Sequence, residues 1–184
     1  MGRAGVDSEA AVFHQEAEAL AEAEPQEGGK MDKDVNTLRS SNPMLFFSKG
    51  EKKVIRQAIA KAEQNTSGEI RLHIARSVKG DSMREAKKVF ESLGMTATKN
   101  RNGVLIFFAI KNRSFVILAD KGLSEKLSEG FWQDIINSMQ QDFRRNDFAS
   151  GMQKGIRQIG EVLEKHFPFD REAVGELPNE ISFQ

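Results

Sequence analysis

Five residues with hard oxygen donors define the chemistry this chain can offer: Glu69, Asp81, Asn100, Asn102 and Asp120. Carboxylates and side-chain amides of this kind suit Ca2+ or Mg2+. Cysteine is absent. Its absence excludes thiolate nucleophiles, disulfide frameworks and Cys-ligated zinc or iron–sulfur centres. No G-x-S-x-G and no H-E-x-x-H occurs, so serine-hydrolase and zincin chemistry have no anchor. Of the three histidines, His14 lies in the N-terminal tail, His166 ends a helix, and His73 reads as a structural or solvated group. Asp32-Lys33-Asp34-Val35-Asn36 opens like a calcium loop, but Thr37 and Pro43 stand where an EF-hand needs Gly and Glu. Gly28-Gly29-Lys30 lacks the first glycine and the Ser/Thr of a P-loop.

The elements that must position the five donors follow from periodicity. Ser48 and Glu51 form an S-x-x-E capping box, and Val54, Ile55, Ala58, Ile59 and Ala62 repeat at helical spacing. Ile70, Leu72 and Ile74 then alternate with Glu69, Arg71 and His73, which predicts a strand with one core face and one polar face. Ser82 and Glu85 predict a second capping box, and Gly94 a helix C-terminus. Val104 to Ile110 is apolar on both faces, as a central strand requires. Lys111-Asn112-Arg113 turns the chain, and Phe115 to Ala119 returns antiparallel. Two helices follow, the second capped by Asp147, with Gly151 and Gly155 on one face for close helix approach and Pro168 as its stop. Trp132 reads as packing. Ile181-Ser182-Phe183 fits a short edge strand. A sheet with helices on both faces is the economical packing for this order.

That topology sorts the donors. Asn102 enters the second strand at the end where Asp120 leaves the third, and Glu69 starts the first strand at that same end. Glu69, Asn100, Asn102 and Asp120 are therefore expected to meet. Asp81 follows the C-terminal end of the first strand and joins only if its loop crosses over. Ordinary turn chemistry accounts for Asn-Gly and Asp-x-Gly as well.

The 184 residues carry equal numbers of acids and bases. Residues 1–43 hold nine acids against four bases, so the remainder has an excess of five bases. The division predicts three parts: an acidic, disordered tail over 1–43, a folded domain over 44–168 and a C-terminal extension over 169–184. Within the tail, Phe13, Ala17 and Leu20 share a helical face that can dock on its own domain or on an unidentified protein partner. Met31 and Met44 allow later translation starts. Zero net charge argues against nucleic acid, and the basic clusters Lys52-Lys53-Arg56 and Arg144-Arg145 read as solvated helix faces. The longest apolar run, seven residues, is too short to span a bilayer. No signal-peptide stretch is seen, so the expected compartment is the cytoplasm.

Four pieces appear in order: Asn65-Thr66-Ser67-Gly68-Glu69-Ile70, Asn102-Gly103-Val104-Leu105-Ile106, Ala119-Asp120-Lys121-Gly122-Leu123, and Asp142-Phe143-Arg144-Arg145-Asn146-Asp147-Phe148 running on to Gly155. Together they resemble the TPM domain family over about Phe46 to Phe167. The resemblance implies an α/β fold, a three-layer αβα sandwich whose central mixed sheet has about four strands. It also implies a divalent-metal site in loops at the sheet edge and, in some members, acid phosphatase activity. Many members have Asp just before the Asn-Gly pair; here it is Arg101, a fixed cation in place of an oxygen ligand. The resulting expectation is a stand-alone domain that binds Ca2+ or Mg2+ as a metal-responsive interaction module. The alternative is a metal-assisted acid phosphatase. A covalent route lacks its residues, since neither D-x-D-x-T nor R-H-G occurs.

Overall fold

The computed structural model describes residues 11–15, 39–170 and 180–184. The expectations for the rest of the tail, the rejected calcium-like and phosphate-like stretches included, and for residues 171–179 lie outside the described residues. Strands are β1 (Ala11–Gln15), β2 (Glu69–Ala75), β3 (Gly103–Ala109), β4 (Ser114–Ala119) and β5 (Ser182–Phe183). Helices are α1 (Pro43–Phe46), α2 (Lys49–Glu63), α3 (Ser82–Ser92), α4 (Lys121–Ser124), α5 (Glu129–Arg144) and α6 (Phe148–His166). The sheet order is β1-β4-β3-β2-β5. β2 is parallel to both β3 and β5, while β3/β4 and β1/β4 are antiparallel. β2 to β5 make the mixed four-stranded sheet, and β1 adds a fifth strand at the β4 edge.

The sheet separates two cores, which makes the fold an αβα sandwich. Ile70, Leu72, Ile74, Val104, Ile106, Phe108, Phe115 and Ile117 face one side, where they join Ile55 and Ile59 of α2, Ile135 and Met139 of α5, and Ile156 and Ile159 of α6. Leu105, Phe107, Val116 and Leu118 face the other side, against Ala86, Val89 and Phe90 of α3. The two-sided apolar run of β3 thus feeds both cores, as expected of a central strand. Trp132 is fully buried. Gly151 and Gly155 serve close approach: a Cβ at Gly151 would lie 2.6 Å from the Phe143 ring, and one at Gly155 would overlap Met139 Sδ.

Three local readings change. The capping box at Ser48–Glu51 forms with both of its bonds, but the second helix starts differently. Asp81, not Ser82, is its N-cap, accepting from Met83 N–H at 2.9 Å. Ser82 lies inside the first turn and exchanges a hydrogen bond with Ser114 Oγ at 2.9 Å. Second, the polar face of β2 is not solvated. All seven β2 residues are buried, because α3 and the C-terminal segment cover that face. Third, residues 11–15 of the tail form a strand, not a helix. Backbone pairing with the otherwise open β4 edge outweighs their modest helix preference.

Candidate functional site

The β3–β4 hairpin decides which donors meet. Its register sets Val104 against Ala119, and Asp120 N–H donates to Gly103 O at 2.9 Å. Glu69 pairs with Gly103 from the β2 side. Glu69, Asn102 and Asp120 therefore share one end of the sheet, and Asn100 joins them through Ser67. The Nδ2 groups of Asn100 and Asn102 both donate to Ser67 Oγ, at 3.2 and 3.3 Å. Asp81 sits at the opposite end of β2, about 20 Å away for a strand of this length. It is exposed there and occupied as a helix cap. The loop crossing that would bring Asp81 to Asp120 does not occur.

Asp120 is fully buried, and both of its carboxylate oxygens are taken. Arg101 Nε donates to Oδ2 at 2.7 Å and Nη2 to Oδ1 at 2.8 Å. Oδ1 also accepts from Lys121 N–H at 2.8 Å, so Asp120 caps α4. The bidentate geometry is the strong form of an ion pair. Bonding to the carboxylate raises the Arg101 guanidinium further above its ordinary range. Arg101 reaches this position from a left-handed backbone, φ 50°, which turns its side chain across to the hairpin end. Gly122 lets the two loops touch: a Cβ there would lie 2.7 Å from Arg101 O and would overlap Asn100 O. Asn102 is buried, and its Oδ1 has no partner.

A cation at this end has to be tested against these contacts. Among the described residues no three His, Asp or Glu gather as a ligand set. Glu69 is buried beside Arg71 on the same strand face and is one of the acids whose charge acts on that guanidinium. With Arg101 seated, its guanidinium stands where a cation would meet Asp120. As arranged, the residues do not fit a divalent ion at Asp120. The sequence flagged Arg101 as a departure but not as the partner of Asp120. The signal was present, since the tight Lys111–Arg113 turn fixes the register that sets residue 101 near residue 120.

A second cluster escaped the sequence reading. His73, read there as structural or solvated, is buried at the middle of β2. Its Nδ1 lies 2.8 Å from Ser182 Oγ of β5, its ring stacks on Phe107 at 5.5 Å, and the Gln184 side chain supports the ring as well. Burial holds the imidazole below its ordinary pKa. Burial also lowers the neighbouring Arg71, against the attraction of Glu180, Glu63 and Glu69.

Fold and site together define an αβα domain with a loop edge closed by an internal ion pair. The family model described as TPM domain matches residues 42–162, and the chain belongs to that family. It is similar to the BA42 protein from the psychrophilic bacterium Bizionia argentinensis, known from an NMR structure. The two are 41% identical, with 76% of this chain and 96% of that chain covered and a TM-score of 0.71. No curated protein matches the chain. Among the described residues no helix is long and apolar enough to cross a membrane.

Proposed function

We propose that this TPM domain works as a binding module, an interaction or regulatory protein, and not as a phosphatase. The observation that carries this reading is the condition of Asp120. The metal-assisted phosphatase route relies on an accessible carboxylate that can hold the ion or place water at the reacting phosphorus. Asp120 is buried, with Arg101 on both oxygens and a backbone N–H on one of them. Both oxygens are engaged and none of the carboxylate is exposed, so substrate or water reaches it only if Arg101 moves. Asp81 is a helix cap at the far end of β2, and Glu69 is buried beside Arg71.

A second reading keeps Ca2+ or Mg2+ as a regulator. The buried, unpartnered Asn102 Oδ1 favours it. Asp120, Asn102, Asn100 and Glu69 would supply oxygen donors once the Arg101 guanidinium swings outward. Binding would then be weak in the wild type and stronger in Arg101→Gln.

Phosphomonoester turnover at acid and neutral pH, with and without Mg2+, tests the first reading. No turnover is expected. Turnover that disappears in Asp120→Asn would overturn the binding-module reading. Calcium titration followed by amide NMR tests the second. Shifts confined to residues 98–103 and 119–122, larger in Arg101→Gln, are its expected signature. An unmoved spectrum in both proteins removes the ion.

A further inference from the structure

β2 has β3 along one edge, while its outer edge is covered piecemeal. A bare strand edge is a template for another strand. Near its start, the edge is closed by side chain and loop: Glu63 Oε1 accepts from Ile70 N–H at 2.7 Å, and Phe167 O accepts from Ser67 N–H at 3.1 Å. Its second half is closed by the chain's own residues 180–184. Gln184 N–H donates to Ile74 O and Arg76 N–H donates to Gln184 O, both at 3.0 Å. The side chains then alternate. Ser182 meets His73 Nδ1 on the α3 face. Phe183 packs on the opposite core with Lys52 Nζ 5.6 Å from its ring centre, and Ile181 is buried.

This is how a strand-addition domain holds a peptide: main-chain bonds supply affinity, and pockets for alternate side chains supply selectivity. We propose that the outer edge of β2 is a strand-addition groove for an extended peptide with an acid at the Ser182 position and an aromatic residue next to it, closed here by the chain's own residues 180–184. The proposal names a partner class for the binding module above. It uses neither Asp120 nor the loop edge.

The choice of an acid follows from the charges around His73. On β2, Arg71 is buried two residues away on the same face. From α3 comes Glu85, tied to Lys88 at 2.9 Å and reached by Gln184 Nε2 at 3.5 Å. β3 contributes only the Phe107 ring. β5 contributes the Ser182 hydroxyl, and Gln184 just past its end contributes a side-chain amide; neither carries charge. Burial opposes a proton on His73 while the strap is seated, and Arg71 adds to that, against the support of the Gln184 side chain and the Glu85 carboxylate. Leaving the groove lets water reach the ring, so the open state takes up the proton more readily. Falling pH below the ordinary histidine value of 6.5 therefore loosens the self-strand. A carboxylate in place of Ser182, which stands opposite His73 in the register, would accept from the protonated ring; Arg71 is already attracted by Glu180, Glu63 and Glu69. The self-strand has only two ladder residues, which puts its release at the low end of local opening energies.

The test uses the full chain at about pH 7.5 and about pH 5.5. Hydrogen exchange at the Gln184 and Arg76 amides, corrected for intrinsic rate, should quicken about tenfold at the lower pH while Ile106 and Val116 stay protected. Labelled peptides Glu-Ile-Asp-Phe-Gln and Glu-Ile-Ser-Phe-Gln are then titrated by anisotropy. The aspartate peptide should bind about tenfold tighter at the lower pH, and the serine peptide should not. Ser182→Asp should reverse the exchange result by holding its own strap more tightly at low pH. His73→Phe should abolish the pH dependence of both readouts. Unchanged protection of Gln184 and Arg76 across this range, or no binding of either peptide, would overturn the groove. Phosphatase activity would sink the binding-module reading but leave these readouts untouched.

Discussion

Asp120 and His73 are both buried ionisable groups on this sheet, and they are treated in opposite ways. Asp120 is fully enclosed and matched at every oxygen by Arg101 and by a backbone N–H. His73 is also buried, yet its polar contacts come from Ser182 and Gln184 of the short C-terminal segment. A buried charge that is fully paired is stable in one state and resists change. A buried imidazole without a paired charge favours its neutral form through desolvation. The first arrangement closes a loop edge, and the second leaves a point at which the fold can respond.

The largest expected effect comes from breaking the closed end. Arg101→Gln leaves a buried carboxylate without its cation. The cost should be about 2–3 kcal/mol, below the full range for a buried pair because the Arg101 side chain is 41% exposed and its loss is partly screened. Urea unfolding at neutral pH measures it, and a loss under about 0.5 kcal/mol would mean that the pair is a surface contact in energetic terms. A smaller loss is expected where the same end depends on shape. Gly122→Ala forces a Cβ against backbone oxygens of residues 100 and 101, which should cost about 1–3 kcal/mol. Thermal melts and the amide shifts of 98–103 would show whether the loop moves.

Asp81→Ala should cost about 1 kcal/mol, the ordinary worth of an exposed helix cap. If Ca2+ protected the wild type against unfolding and failed to protect this variant, Asp81 would be a ligand after all. The smallest effect on global stability belongs to His73. Because burial lowers its pKa, the folded protein favours the neutral ring. Its contribution is complete above about pH 6.5 and falls as pH drops below that value, levelling off beneath the lowered pKa. Local release of β5 limits that loss, since the ring can hydrate without unfolding the sheet. Comparing urea midpoints of wild type and His73→Phe from pH 8 to pH 5 isolates the slope, and parallel curves would deny the imidazole any role.

Much of the fold was legible because it rests on local patterns. Ser48 with Glu51, Gly94 in the left-handed region at φ 72° and Asp147 before α6 each act within a turn of chain, while Gly151 and Gly155 were legible as small residues on one helix face. The site was half legible. Strand directions placed Asn102 and Asp120 together, since parallel and antiparallel pairing follow from the connections. The charge state of that end was not legible, because Arg101 reads alone as a substitution and becomes a lock only opposite Asp120. That the polar side of β2 is buried was not legible for the same reason. Alternation of Glu69, Arg71 and His73 with apolar residues signals a two-faced strand but does not say what covers the second face.

By itself, the sequence determined the order of the long helices and of strands β2 to β4, the apolar faces of the helices, the TPM signatures and the exclusion of cysteine chemistry. Periodicity and capping carry that information because they are set by neighbours three or four residues apart. Only the tertiary structure decided that Asp120 is neutralised from within, that Asp81 is an isolated cap, that residues 11–15 extend the sheet, and that residues 180–184 sit over His73. Each of these depends on a contact between distant segments. Burial and ionic pairing come from whatever the fold brings alongside, which no local pattern encodes.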